Sequence, residues 1–159
     1  MKKLVYFILV ILIASFATSC NNSTVFDQYA HTPIAGWEKN DTLSFEIPPL
    51  AEDGHYQENL GVRLTGAYPF MGLTLIVEQT IYHNKKMEAE SKRDTVNCQF
   101  VDANGNNKGQ GISYSQYKFP INLYDLHQGD SIHITIRHDM KREILPGVSD
   151  VGVKISKMQ

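Results

Sequence analysis

The sequence predicts an all-β protein: an antiparallel β-sandwich of about seven to eight strands, preceded by a leader that reads as a cleaved signal peptide. Three observations predict it. Apolar residues recur at period two in almost every segment after Asp41, which is the signature of strands with one buried face. Clusters of Pro, Gly, Asn and Asp separate those segments, as turns require. Finally, the apolar run that follows Lys2 and Lys3 stops at Phe16, broken only at Ala14-Ser15, well short of the ~20 apolar residues that a spanning helix needs.

That leader ends Ala17-Thr18-Ser19-Cys20. A cysteine directly after small residues resembles the lipobox, in which the thiol receives a diacylglyceryl group and becomes the new N-terminus. The expected division is residues 1–19 as signal peptide, 20–40 as lipidated Cys20 with a tether and lead-in, and 41–159 as the sandwich. Several acyl chains, at about 0.8 kcal/mol per buried CH2, would hold the body on a membrane almost permanently. Removing residues 1–19 from 159 leaves 140, and Lys+Arg falls from 15 to 13 against 17 Asp+Glu, a net charge near −4. No basic excess exists to attract nucleic acid. The tether Asn21-Asn22-Ser23-Thr24 carries no acid. Surface-exported lipoproteins of some Gram-negative groups do carry acids there, so this tether points to an outer-membrane anchor facing the periplasm.

The strands follow in order. Leu43, Phe45 and Ile47 form the first, stopped by Pro48-Pro49, since proline cannot donate to a ladder. Leu60/Val62/Leu64 and then Leu73/Leu75/Val77 with Ile81 form the next two. Lys85 to Arg93, charged and helix-compatible, reads as a long hairpin connection with one helical turn. Val96/Cys98/Phe100, Tyr117/Phe119/Ile121, Ile132/Ile134/Ile136 and Val151/Val153/Ile155 complete the set. Asn104-Gly105, Gln128-Gly129-Asp130 and Pro146-Gly147 mark turns. Cys98 shares a face with Val96 and Phe100 and is the second of two cysteines, so a buried, inert thiol is favoured over a nucleophile.

Catalytic and metal signatures are weak. His133 and His138 fall on opposite faces of one strand, and His31, His55, His83 and His127 are scattered, unlike zinc spacing. Asp102 to Asn106 imitates the start of a calcium loop, but Asn107 stands at the glycine position and Ser113 at the bidentate Glu position. An Asn/Gly turn is the better reading. Neither a nucleophile elbow nor a His-Glu-x-x-His motif occurs. The expectation is a protein that is not an enzyme and uses no metal and no cofactor.

Aromatic residues at turns and strand ends are more suggestive. Trp37, Tyr68, Phe70 and Tyr114 are the candidates for partner or ligand contact, because such rings anchor proteins or stack on sugars. They also commonly close the end of a small core.

From His138 the chain reads His-Asp-Met140-Lys-Arg-Glu-Ile-Leu145-Pro-Gly147-Val-Ser-Asp150-Val-Gly152-Val-Lys-Ile155. This resembles the closing block of the gliding-motility lipoprotein family GldH of Bacteroidota. Phe26-Asp27-Gln28-Tyr29, Gly36-Trp37 and the run Tyr68 to Leu73 fit as well. Around residues 107–111, where the family often carries Trp-x-Gly-x-Gly, this chain has Asn-Lys-Gly-Gln-Gly. The resemblance implies a lipid-anchored accessory or assembly protein of the cell envelope, with other envelope proteins as partners. A glycan-binding module is the alternative. Within the block, His138, Met140, Leu145, Gly147, Asp150 and Gly152 read as structural: glycine freedom at the turn, Asp150 accepting turn N–H groups, and Met140 and Leu145 packing over the sandwich end.

Overall fold

The computed structural model describes residues 23–85 and 88–158. The signal peptide and Cys20 lie outside these residues. Ten strands follow in chain order: β1 Thr24–His31, β2 Trp37–Glu38, β3 Leu43–Ile47, β4 Gly54–Leu64, β5 Gly72–His83, β6 Glu88–Gln99, β7 Ser115–Leu126, β8 Ser131–His138, β9 Ile144–Leu145 and β10 Val148–Lys157. One four-stranded sheet has the order β1-β10-β4-β7, the other β3-β8-β5-β6, and β2 pairs with β9 as a short ribbon. All pairings are antiparallel. The expected sandwich is therefore present.

Period-two patterning builds the core. Leu60, Val62, Leu64, Val151, Val153 and Ile155 line the inner face of the first sheet. Leu73, Leu75, Val77, Ile132, Ile134 and Ile136 line that of the second, and all belong to a single apolar cluster. Side chains alternate across a strand, so each strand supplies one face to this cluster and the other to solvent. Cys98 is fully buried within it, and burial pushes its thiol up to about 12, keeping it protonated and unreactive.

Two boundaries differ from the sequence reading. The sandwich begins at Thr24, not at residue 41, because β1 runs along β10 from the Thr24–Ser156 pair to the His31–Asp150 pair. As an edge strand β1 buries only Phe26 fully, so its sequence lacks the apolar alternation of a central strand. The lead-in also contributes Trp37, paired with Leu145. Second, Lys85 to Arg93 is not a helical connection. After a turn that starts at Asn84, the chain enters the twelve-residue β6, paired in register with β5 from Glu88–His83 to Gln99–Gly72. Its charged residues belong to an exposed edge, where Lys, Arg and Glu discourage pairing with other chains. The opposite edge strand, β7, carries Pro120 beside a register shift at Glu58/Asn59, a position where a missing N–H costs no ladder bond.

Candidate functional site

Two loops meet at one end of the sandwich. Residues 65–71 join β4 to β5, and residues 100–114 join β6 to β7. Tyr68 organises the first. Its amide donates to the Thr65 carbonyl at 3.2 Å and its hydroxyl to the Gly72 carbonyl at 2.8 Å. Its ring meets Phe70 edge-on at 5.7 Å and Phe100 edge-on at 5.6 Å. Phe100 continues the stack to Tyr117 at 4.5 Å. Tyr117 in turn donates its hydroxyl to Asn107 Oδ1 at 2.7 Å, fixing the second loop. Such edge-to-face pairs add about 0.5–1.5 kcal/mol each beyond area burial.

Between the loops lies a cleft of about 390 Å³ lined by Tyr68, Phe70, Met71, Phe100, Ile112 and Tyr114, among others. Its rim is exposed: Phe70 39 %, Met71 72 %, Tyr114 41 %, with Ile112 fully open. Among the described residues no Asp, Glu, Lys, Arg or His lines it. Burial, with a smaller contribution from Cys98, raises the Tyr68 hydroxyl well above its ordinary value, so the cleft offers neutral rings and hydroxyls. That chemistry suits seating an apolar or aromatic group; it supplies no proton-transfer pair. Isolated apolar residues at a surface are ordinary, whereas a contiguous patch over a formed cleft marks a contact site.

Tyr68, Phe70 and Tyr114 all line this one cleft. Trp37 does not. Its indole is fully buried, with Nε1 donating to the Asp41 carbonyl at 3.0 Å and the ring edge-on to His138 at 5.3 Å. A ring with no open face cannot stack on a ligand, so Trp37 is a core residue.

The closing block supports this end from behind. His138 is buried, donates from Nε2 to the Trp37 carbonyl at 3.1 Å and accepts the Met140 amide at Nδ1; burial lowers its pKa and keeps it neutral. Met140 packs against the core and its sulfur accepts the Thr74 amide at 3.4 Å, while Leu145 is fully buried. Gly147 has φ +79, and a Cβ there would lie 2.2 Å from the Tyr68 nitrogen. Only glycine lets this turn press against the Tyr68 loop. Gly152 is similarly bare because the Tyr29 ring lies on it. Asp150 differs from expectation. It sits in β10, accepts the Ser149 hydroxyl at 2.6 Å and pairs with His31 instead of binding turn amides.

One polar cluster went unread in the sequence. Glu58 is fully buried, and its Oε2 accepts from Tyr124 at 2.6 Å, Asn122 at 3.1 Å and Gln79 at 3.4 Å. Asn122 and Gln79 also donate to Asp94, which pairs with Lys92 at 3.3 Å. Burial raises the Glu58 pKa despite these donors. For Asp94 burial works upward too, but hydrogen bonds from Asn122 and Lys92 outweigh it and hold the carboxyl low. The signal was present: Glu58 is in phase with Tyr56 and Leu60, and Gln79 with Val77 and Ile81.

Two face-packed antiparallel sheets, with an uncharged aromatic cleft at one end, define an all-β sandwich. The profile of the GldH lipoprotein family matches residues 24–155, and the chain belongs to that family. It is 28 % identical over 94 % of its length to a protein of Flavobacterium johnsoniae described as gliding motility lipoprotein GldH, and covers 94 % of it. Among solved structures, a protein from Sulfurospirillum deleyianum aligns at TM-score 0.47 and 9 % identity, over 84 % of this chain and 98 % of that one. A carbohydrate-binding module specific for non-crystalline cellulose aligns at TM-score 0.41 and 9 % identity, over 87 % and 75 %. Neither likeness bears on function.

Proposed function

We propose that this lipoprotein acts as an accessory or assembly component of the gliding-associated envelope machinery, by presenting its aromatic cleft to a protein partner. The observation that carries the reading is the position of the cleft relative to Ser23 and Thr24, where β1 begins. β1 starts beside the last residues of β10, with the Lys157 amide bonded to the Ser23 carbonyl at 2.7 Å. β4 runs from that end to Leu64 at the cleft. A lipid on Cys20 would hold this end of the sandwich, with the exposed rings at the other. Confinement to one leaflet raises the effective concentration of the cleft near membrane partners. We assign the anchor to the outer membrane and the body to the periplasm, on the acid-free tether, with contact and not turnover as the mode of action.

The test is a photoreactive phenylalanine analogue at position 71, on the same exposed rim, in native membranes. The expected result is a discrete crosslink to an envelope protein that disappears in a Phe70→Ser/Ile112→Ser variant and weakens in Cys20→Ala. A crosslink unaffected by the rim substitutions, or a mature protein that never incorporates labelled palmitate, defeats the proposal.

A further inference from the structure

A second surface lies on the outer face of the β1-β10-β4-β7 sheet, toward the cleft end of the strands. Its residues come from register. Tyr29 on β1 is level with Gly152 on β10 and Gly61 on β4, and Lys118 on β7 completes that row. One row toward the cleft, Asp150 pairs with Arg63 and Arg63 with Gln116. The two glycines leave room for the Tyr29 ring, since a Cβ at Gly61 would lie 2.3 Å from its oxygen and one at Gly152 2.6 Å from its ring.

Arg63 is held as a plane. Its Cζ lies 3.8 Å from the centroid of Tyr29 and 5.2 Å from that of Tyr114, and its Nε donates to Gln116 Oε1 at 3.2 Å. The two ring faces and the amide fix the guanidinium while its terminal N–H groups have no carboxylate within salt-bridge distance among the described residues. Lys118, beside it, likewise pairs with no acid. Lys154 is engaged with Asp27 at 3.9 Å, and Asp150 is turned toward His31 and Ser149. A concavity of about 590 Å³ spans these rows, and Asn59 and Ser156 add neutral hydrogen-bonding groups to its wall.

We propose that this face binds an acidic saccharide, with the carboxylate of a uronate unit seated on Arg63 and Lys118. A stacked guanidinium is prepared for bidentate contact with a planar carboxylate. The amide and hydroxyl groups around it match sugar hydroxyls. Two unpaired cations in a chain with net negative charge set the sign of the ligand. Phospholipid headgroups fit less well, because the site is displaced from the tether end. An added peptide strand fits less well too, because this is a sheet face and not an edge.

The test uses the full-length lipoprotein in detergent micelles and isothermal titration with oligogalacturonate at low salt. Binding should weaken about tenfold in Arg63→Lys, which keeps the charge but loses the fork, and about threefold in Lys118→Gln. Thermal melts of both variants should match the parent. Methyl-esterified oligogalacturonate should bind at least tenfold more weakly than the acid. The proposal is overturned if the ester binds as well as the acid, or if Lys118→Gln and Arg63→Lys, both folded, bind as the parent does. It is also overturned if a polyglutamate peptide or inorganic phosphate binds more tightly than the oligosaccharide.

Discussion

The two ends of the sandwich solve the same problem in opposite ways. At the tether end, Asp130 gathers the turns. Its carboxylate accepts the Asn84 amide at 3.0 Å, the His127 amide at 3.0 Å and His83 Nδ1 at 3.0 Å. Leu50 and Gly129 also exchange backbone bonds with this segment. Every polar group named there is answered from inside the protein. The cleft end closes instead with rings, and leaves Phe70, Met71, Ile112 and Tyr114 open to water. Stability alone does not ask for that exposure. The difference teaches that the polar end is closed by its own hydrogen bonds, whereas the aromatic end closes by packing and leaves its rim open to water.

The comparison can be broken or sharpened by substitution. The largest effect should come from Trp37→Ala, which removes a fully buried indole and should cost about 4 kcal/mol, measured by denaturant unfolding. It should abolish the folded state or collapse the cleft end from beneath. Next, Asp130→Ala strands two amides and an imidazole and should cost about 3 kcal/mol. Burial raises Asp130, but the His127 and Asn84 amides and His83 outweigh it and hold its pKa below the ordinary aspartate value. Its contribution is therefore present above the unfolded value and lost as pH falls through the folded one. Acid titration of the parent and the variant should converge at low pH; parallel curves would remove Asp130 as the clasp of that end.

Glu58→Gln should act in the other direction. Because burial raises the folded pKa above the ordinary glutamate value, the neutral form is favoured by the fold. The stability this confers is complete below the unfolded value and is lost as pH rises through the folded value. A neutral isostere should stabilise the protein by about 1 kcal/mol at pH 8 and by nothing at pH 4. An unchanged stability at pH 8 would mean that the Tyr124, Asn122 and Gln79 donors already compensate the charge. The smallest effect belongs to Ile112→Ser, within about 0.5 kcal/mol of the parent, since that side chain is fully exposed. A large loss of stability there would make the rim a structural lid and cancel the contrast between the ends.

Legibility in the sequence followed burial. β3, β5, β8 and β10 face a core on one side, and their apolar alternation identified them. β1 and β6 are edges exposed to water for most of their length, so polar residues at inward positions cost little and the pattern dissolved. Trp37 sits beside Gly36 with φ +121, and a tryptophan after a turn reads as surface until the Leu145 pairing folds it inward. Tyr68 and Phe70 were legible because a loop between two clear strands must lie at an end. Glu58 and Gln79 were hidden by counting only apolar residues at every second position. The Tyr29–Arg63 contact depends on three strands in register, β1, β10 and β4, and no local spacing encodes a partner on another strand.

The Thr24–Ser156 to His31–Asp150 ladder has a mechanical consequence. If a lipid on Cys20 anchors the chain and a partner holds the far loops, as proposed, a pull between them would act along β1, which starts at Thr24. The eight residues of β1 would then resist in shear, with their cross-strand bonds loaded side by side, instead of peeling one at a time. The attachment point would thereby be oriented to carry tension, and the first strand is the one that would have to slide before the body came loose.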